Sequence, residues 1–438
     1  MAEQGKIPFI AAVLMNINII VGSGIFAFPQ FMAEKSGGWS FLGWPLAGFL
    51  LLPIIWTVAQ AARVFPGEGG FYNYCKSGIN ESAGFIANWA YLLGYMGTAS
   101  TITTIIRDKL VQQFGLTFVS EHPLLFLIGF VTIISLLNLA SIEIISKIQS
   151  TATLFKLLPL FFIAFAIFFY WDPSFTYQTT SIFTIGSALP FAIFGFWGFE
   201  SCCTISHLIK GGSTQASKVI LLAFAISAGL YTVFHLGIMH IMGVEDLTHL
   251  GANSFPLFLG WSPAITKAIL ATISAAIMIS FINTTYGASL TNITNINVMA
   301  RRGFLFGSSF LAKTLPRGIP VNAVLIHAIG IITLITFIPN TVILGAITNF
   351  GVMTAFLLTL MAVFKYNLVN KNYLQLVITS LGFVSLGILL YFTWTTQMGS
   401  DNFTRMLYAT PILAGIPLGF IMYKIVTRKK ISSRKKNA

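Results

Sequence analysis

The chain has 438 residues, of which 56% are hydrophobic and only 8% charged, too few polar side chains to coat a water-soluble globule of this size, so the chain belongs in lipid. Its formal net charge of +13 is not a nucleic-acid surface, because seven of the 25 Lys/Arg residues crowd into the last fifteen positions, from Lys424 to Lys436, and the others cluster between apolar runs. That placement orients a membrane protein and makes the bilayer, not nucleic acid, the partner.

A bilayer core of about 30 Å asks for about 20 apolar residues per helix, and only helices or closed barrels satisfy their backbones there. In chain order the apolar runs predict twelve spans: Ile7–Met32, Trp39–Ala62, Gly84–Ile106, Pro123–Ile142, Thr151–Trp171, Ser187–Ser206, Ala216–Met242, Pro263–Thr291, Val321–Pro339, Thr341–Phe364, Leu374–Trp394 and Met406–Ile425. The fold class is therefore all-α, a polytopic membrane protein. The first run is too long for a signal peptide, carries Asn16 and Asn18 and lacks a small-residue cleavage site, so the N-terminus is expected to stay attached. Cys75, Cys202 and Cys203 supply no disulfide framework and are expected to be reduced. With the N-terminus inside, 19 Lys/Arg residues face the cytoplasm, five (Lys35, Arg107, Lys109, Lys267 and Arg405) face outward, and Lys156 lies within a span. Both termini are then cytoplasmic, in a bacterial inner membrane.

Two spans carry interruptions. In the first, Ile20-Val21-Gly22-Ser23-Gly24-Ile25-Phe26 places two glycines around a serine where lipid prefers an unbroken helix. Unwinding at Gly22–Gly24 would aim the N–H groups of a half-helix starting near Ile25 at a carboxylate, and leave carbonyls near Ile20 for an ammonium group. Close helix packing through small residues is the competing explanation. A second interruption, Phe194-Gly195-Phe196-Trp197-Gly198-Phe199-Glu200, falls in the sixth span. Breaks in spans one and six fit a five-plus-five inverted repeat.

Glu200 is the only carboxylate in the middle of a predicted span, and burial at that depth is costly enough to predict a cavity, a partner or a proton-carrying role. A protonated Glu satisfied by backbone carbonyls is the structural alternative. Lys156, about five residues or roughly 8 Å into the fifth span, either snorkels to the interface or reaches the unwound Gly22–Gly24 carbonyls, where its ammonium would do a sodium ion's work. Phe194 and Trp197 flank the second break and are placed to cover a substrate. His235 and His240 lie in the seventh span without a metal or nucleophile motif, so helix-packing hydrogen bonds are their expected role. Neither a cofactor nor a metal is expected. A membrane-embedded enzyme would need a nucleophile–base pair or metal cluster at depth, and a channel a repeated pore lining; the sequence offers neither.

These residues resemble the amino acid-polyamine-organocation superfamily of permeases. Val21-Gly22-Ser23-Gly24-Ile25-Phe26 looks like its GSGIF signature. Phe65-Pro66-Gly67-Glu68-Gly69-Gly70-Phe71-Tyr72 is similar to its Pro-x-x-Gly-Gly-x-Tyr loop, and Lys156 and Gly198-Phe199-Glu200-Ser201 match its fifth- and sixth-span features. The resemblance implies the leucine-transporter fold in one transmembrane domain, residues 1–425. Spans 1 to 5 (residues 1–171) and 6 to 10 (187–364) form inverted repeats, spans 11 and 12 (374–425) are peripheral, and a basic cytoplasmic tail covers 426–438. It implies that Ile20, Gly22, Ser23 and Gly24 bind the substrate's carboxylate and amine with help from carbonyls at Phe194 and Trp197. Phe194 is then the outer gate, Glu200 a gating or proton-sensing carboxylate, and Lys156 the sodium surrogate of sodium-independent members. The expected activity is proton-coupled or exchange transport of amino acids by alternating access, the alternative being an arginine/agmatine-type or polyamine antiporter. Which amino acid is carried, symport against antiport, and a homodimer are all left open. The chain departs from the family where Ser206-His207-Leu208 replaces a Glu and Asn-Pro after the sixth span, which leaves open a pH-sensitive His207 at the inner gate.

Overall fold

The computed structural model describes residues 8–65, 70–139, 142–175, 177, 183–200, 212–315, 320–399 and 401–436. Residues 66–69 of the glycine-rich loop, Ser201, Cys202, Cys203 and His207 lie outside this set. Among the described residues all regular structure is helical, as a lipid solvent demands of backbone hydrogen bonds.

In chain order the helices are α1 (Phe9–Ile20), α2 (Gly24–Ala27), α3 (Pro29–Ser36), α4 (Gly43–Val64), α5 (Phe71–Gly78), α6 (Glu81–Phe114), α7 (Thr117–Glu121), α8 (Pro123–Leu137), α9 (Ile142–Tyr170), α10 (Phe183–Gly186), α11 (Leu189–Phe196), α12 (Gly212–Leu250), α13 (Pro263–Arg301), α14 (Ser308–Leu311), α15 (Val321–Phe337), α16 (Thr341–Val369), α17 (Tyr373–Gln397), α18 (Asn402–Leu413) and α19 (Gly415–Lys436). Among the described residues, helix falls within each of the twelve predicted runs. Among the described residues, six stretches are long and apolar enough by themselves to cross a bilayer: Pro29–Val64, Lys218–Leu250, Pro263–Arg301, Thr341–Val369, Tyr373–Gln397 and Asn402–Arg428. Large apolar side chains such as Phe168 and Phe337, 82% and 79% exposed, would be intolerable in such numbers in water and are ordinary against acyl chains. The protein is a multi-pass membrane protein.

The helices α8, α13, α15 and α16 start at the predicted Pro123, Pro263, Val321 and Thr341, whereas α6 departs from its predicted bounds because local caps set its ends. α6 begins where Asn80 Oδ1 accepts the Ala83 N–H at 2.9 Å and ends at Gly115, whose φ of 62° is left-handed; it thus overruns the predicted Ile106 boundary past Arg107 and Lys109. Asn340 caps α16 by accepting from Val342 and Ile343, at 3.0 and 3.1 Å. The basic tail is also helical, since α19 runs to Lys436.

The chain forms two compact units. The first comprises residues 1–64, 148–283 and 377–396; in it α1, α3 and α4 pack on α12, and α11 packs on α4. Its centre is aromatic, with Trp44, Phe196, Phe224 and Tyr231 all fully buried. The second comprises residues 65–147, 284–376 and 397–438, with α6 packed against α5, α15, α16 and α19. There, a Cβ on Gly351 would stand 2.5 Å from Gly94 Cα, and one on Gly97 would stand 2.9 Å from the Thr348 backbone nitrogen. The two long helices α6 and α16 therefore approach backbone to backbone.

Candidate functional site

Every described site residue predicted from the sequence belongs to the first unit. α1 stops because Val21, after donating to the Ile17 carbonyl at 2.7 Å, turns to φ −70°, ψ 88° and leaves helical space. The non-helical stretch is Val21–Ser23, and the helix resumes at Gly24, one residue earlier than predicted. The N–H groups of Phe26 and Ala27 turn back to the Ser23 carbonyl at 3.1 and 3.0 Å, and those of Gly24 and Ile25 precede any intrahelical acceptor. The Ser23 side chain does not cap this turn. Phe28 keeps αR geometry and joins α2 to α3, so the helical path continues to Ser36 past Pro29.

The second interruption starts at Trp197, whose ψ of 140° ends α11 and whose N–H returns to the Phe194 carbonyl at 3.3 Å. Gly198 follows at φ +117°, a conformation rarely open to a side chain. Its N–H is taken by Glu200 Oε2 at 2.9 Å. The buried carboxyl group thus satisfies a backbone donor that the break has freed.

The two breaks meet. A Cβ on Gly24 would lie 2.5 Å from Gly195 Cα, and one on Gly198 would lie 3.1 Å from the Ile19 carbonyl oxygen. Gly22 and Gly24 do not adopt positive φ, so Gly24 is needed for space and Gly198 for conformation as well. Close packing and interruption are both present, and the first does not replace the second. Phe194 rests on Phe28 in an edge arrangement, centroids 4.7 Å apart, which ties the predicted gate ring to the first span. Trp197 sets its ring beside Phe199 at 6.4 Å. Ile20, Gly22, Ser23, Gly24, Phe194, Trp197, Glu200 and Lys156 are all buried. Lys156, 2% exposed on α9, does not snorkel to the surface.

Sequence reasoning missed Tyr231. Its hydroxyl lies 2.8 Å from the Ile20 carbonyl oxygen and 3.1 Å from that of Gly195, bridging the ends of both interrupted helices from α12. Behind it, Trp44 Nε1–H donates to His235 Nδ1 at 3.1 Å. An indole N–H only donates, so Nδ1 carries no proton, and Nε2–H is left to face Ser40 Oγ at 3.3 Å. This is the packing role expected of His235. A signal for Tyr231 was present: Ser227, Tyr231 and His235 recur at every fourth position of an apolar run, one polar stripe on a helix face, and all three are fully buried.

Comparison with known proteins supplies the family. A family profile described as amino acid permease matches residues 7–417. A serine/threonine exchanger of Bacillus subtilis (strain 168) is 26% identical over 266 residues, covering 57% of this chain and 58% of that protein. An arginine/agmatine antiporter of Chlamydia pneumoniae is 28% identical over 246 residues, covering 52% and 50%. A putative arginine/ornithine antiporter of Escherichia coli (strain K12) is 24% identical over 262 residues, covering 54% and 55%. The chain spans about half the length of the curated relatives it matches. The profile nonetheless covers nearly all of this chain, both interruptions included, and the protein therefore belongs to the amino acid permease family of the amino acid-polyamine-organocation superfamily.

Proposed function

We propose that the protein is a sodium-independent, proton-coupled or exchange permease for an amino acid, working by alternating access. The observation that carries this reading is the meeting of two helix interruptions at Gly24 and Gly195, which brings buried helix ends with N–H donors and carbonyl acceptors close together. A zwitterion needs both. The carboxylate would lie over the N–H groups of Ser23 and Gly24, and the ammonium would bond carbonyls at Ile20, Phe194 and Trp197. Gly22 gives the chain its step between them. Phe194 would close the outer side, and Glu200 would couple closure to the Gly198 turn. Lys156 would place its ammonium on the Gly22–Gly24 carbonyls, where a coupling sodium ion would otherwise sit. Since every one of these groups is buried, entry and release require the half-helices to move, and binding energy would bias that movement.

The architecture that goes with this reading is twelve spans in one transmembrane domain. Residues 1–171 and 187–364 would be inverted repeats, with 374–425 peripheral, and both termini would face the cytoplasm of a bacterial inner membrane. The excess of Lys/Arg on that side supports the orientation.

A cationic amino acid or amine is the second reading, favoured by two relatives whose names are those of arginine antiporters and by the buried carboxyl group of Glu200. Purified protein in liposomes, loaded with unlabelled serine, threonine, arginine or agmatine and assayed for uptake of the labelled compounds with and without a pH gradient, tests both. Saturable uptake that one amino acid drives is expected. Current through single channels, or uptake indifferent to every amino acid, rejects the assignment.

A further inference from the structure

We propose that the Tyr231 hydroxyl is a placeholder for the substrate's ammonium group; this rests on the site proposed above and deepens it. The hydroxyl stands 2.8 Å from the carbonyl oxygen of Ile20, the last residue of α1, and 3.1 Å from that of Gly195, the penultimate residue of α11. Both carbonyls lie at helix ends, where no intrahelical N–H completes them. Both are buried, and a buried carbonyl without a donor costs more than the net worth of one ordinary hydrogen bond. Here that donor is a phenol.

The phenol cannot swing away. Tyr231 is fully buried, its ring edge-on to Trp44 at 4.9 Å and stacked on Phe196 at 5.4 Å. Gly195 has no side chain because Trp44 and Tyr231 fill its Cβ space, at 2.7 and 3.6 Å. What the group can do is rotate its single hydrogen. An O–H offers one proton, shared between the two acceptors, whereas an ammonium offers three and a full positive charge. When the ammonium takes the Ile20 carbonyl, the O–H turns wholly to Gly195, and no carbonyl is left bare in either state. The substrate is thereby charged, on binding, the free energy of displacing the hydroxyl. That keeps the affinity low enough for release.

Tyr231 is a positioning residue, and removing only its oxygen has an uncommon signature. In nanodiscs at neutral pH, calorimetric titration with L-serine and L-arginine should give Tyr231→Phe a Kd about five- to tenfold below wild type. Its maximal exchange rate should fall by a similar factor, and its melting temperature without ligand should also fall. The amine-free counterparts, 3-hydroxypropionate and 5-guanidinopentanoate, should bind both proteins alike. Should Tyr231→Phe fail to fold, 3-fluorotyrosine at position 231 keeps the shape and sharpens the donor, and the Kd for L-serine or L-arginine should rise a few-fold. If wild type binds neither amino acid, the site itself is rejected, and the placeholder with it. If wild type binds but Tyr231→Phe binds no tighter, or fluorination leaves Kd unchanged, the placeholder alone is overturned and Tyr231 is a packing residue.

Discussion

Glycine does different work in the two compact units. In the second, Gly94, Gly97 and Gly351 lie in unbroken helices of 34 and 29 residues, with no room for a Cβ. In the first, Gly24 and Gly195 show the same lack of space, with the same 2.5 Å approach, yet they flank segments where the helix has stopped. Close approach is therefore not the mark of an interruption. What separates the two is the fate of the freed backbone groups. The Ile20 and Gly195 carbonyls are taken by Tyr231 and the Gly198 N–H by Glu200, while α6 and α16 keep their own ladders. A break in lipid survives only where side chains take over its unsatisfied groups.

That contrast can be broken experimentally. The largest effect is expected from Gly24→Leu, which must push the two interruptions apart; a displacement of about 1 Å in a positioned site costs on the order of 100-fold in rate. Uptake should vanish while membrane insertion is normal. Its mirror in the second unit, Gly351→Ala, should instead lower the melting temperature, by an overpacking cost of about 1–3 kcal/mol, with uptake per folded molecule little changed. Equal loss of uptake by both variants would erase the distinction. Next comes Lys156→Ala, expected to lower exchange at least about tenfold, or about 1.4 kcal/mol, and read by initial rates in liposomes with and without sodium. Unaffected rates would remove Lys156 from coupling.

Glu200→Gln sharpens the account at finer scale. The amide keeps an acceptor for the Gly198 N–H and loses only the charge, so a purely capping role predicts little change, and a proton-carrying role predicts loss of the pH-gradient response. Glu200→Ala removes the acceptor as well and should cost about three- to tenfold more in rate. The smallest effect is expected of Asn340→Ala, which strips the α16 cap of two accepted N–H bonds. Stability should drop by about 1 kcal/mol with KM unchanged, by thermal melting and uptake respectively.

Composition and hydropathy alone determined the membrane class and the sites of helix, because burial of backbone amides in lipid leaves little choice. Glycines flanking Ser23, and Gly195 to Gly198, marked both interruptions to within a residue or two, and Glu200 and Lys156 were legible as charges with no business at that depth. Helix starts at Pro123, Pro263, Val321 and Thr341 were legible as well, but the ends of α6 were not, since Asn80 and Gly115 bound that helix by local capping, which hydropathy does not register. The stripe of Ser227, Tyr231 and His235 was readable, but the role of Tyr231 was not, one aromatic residue among the 62 Phe, Trp and Tyr of the chain. Which of these reaches across to two carbonyls depends on how α1, α11 and α12 pack, and that is a property of three dimensions. Sequence thus named the broken helices, and tertiary structure decided what satisfies them.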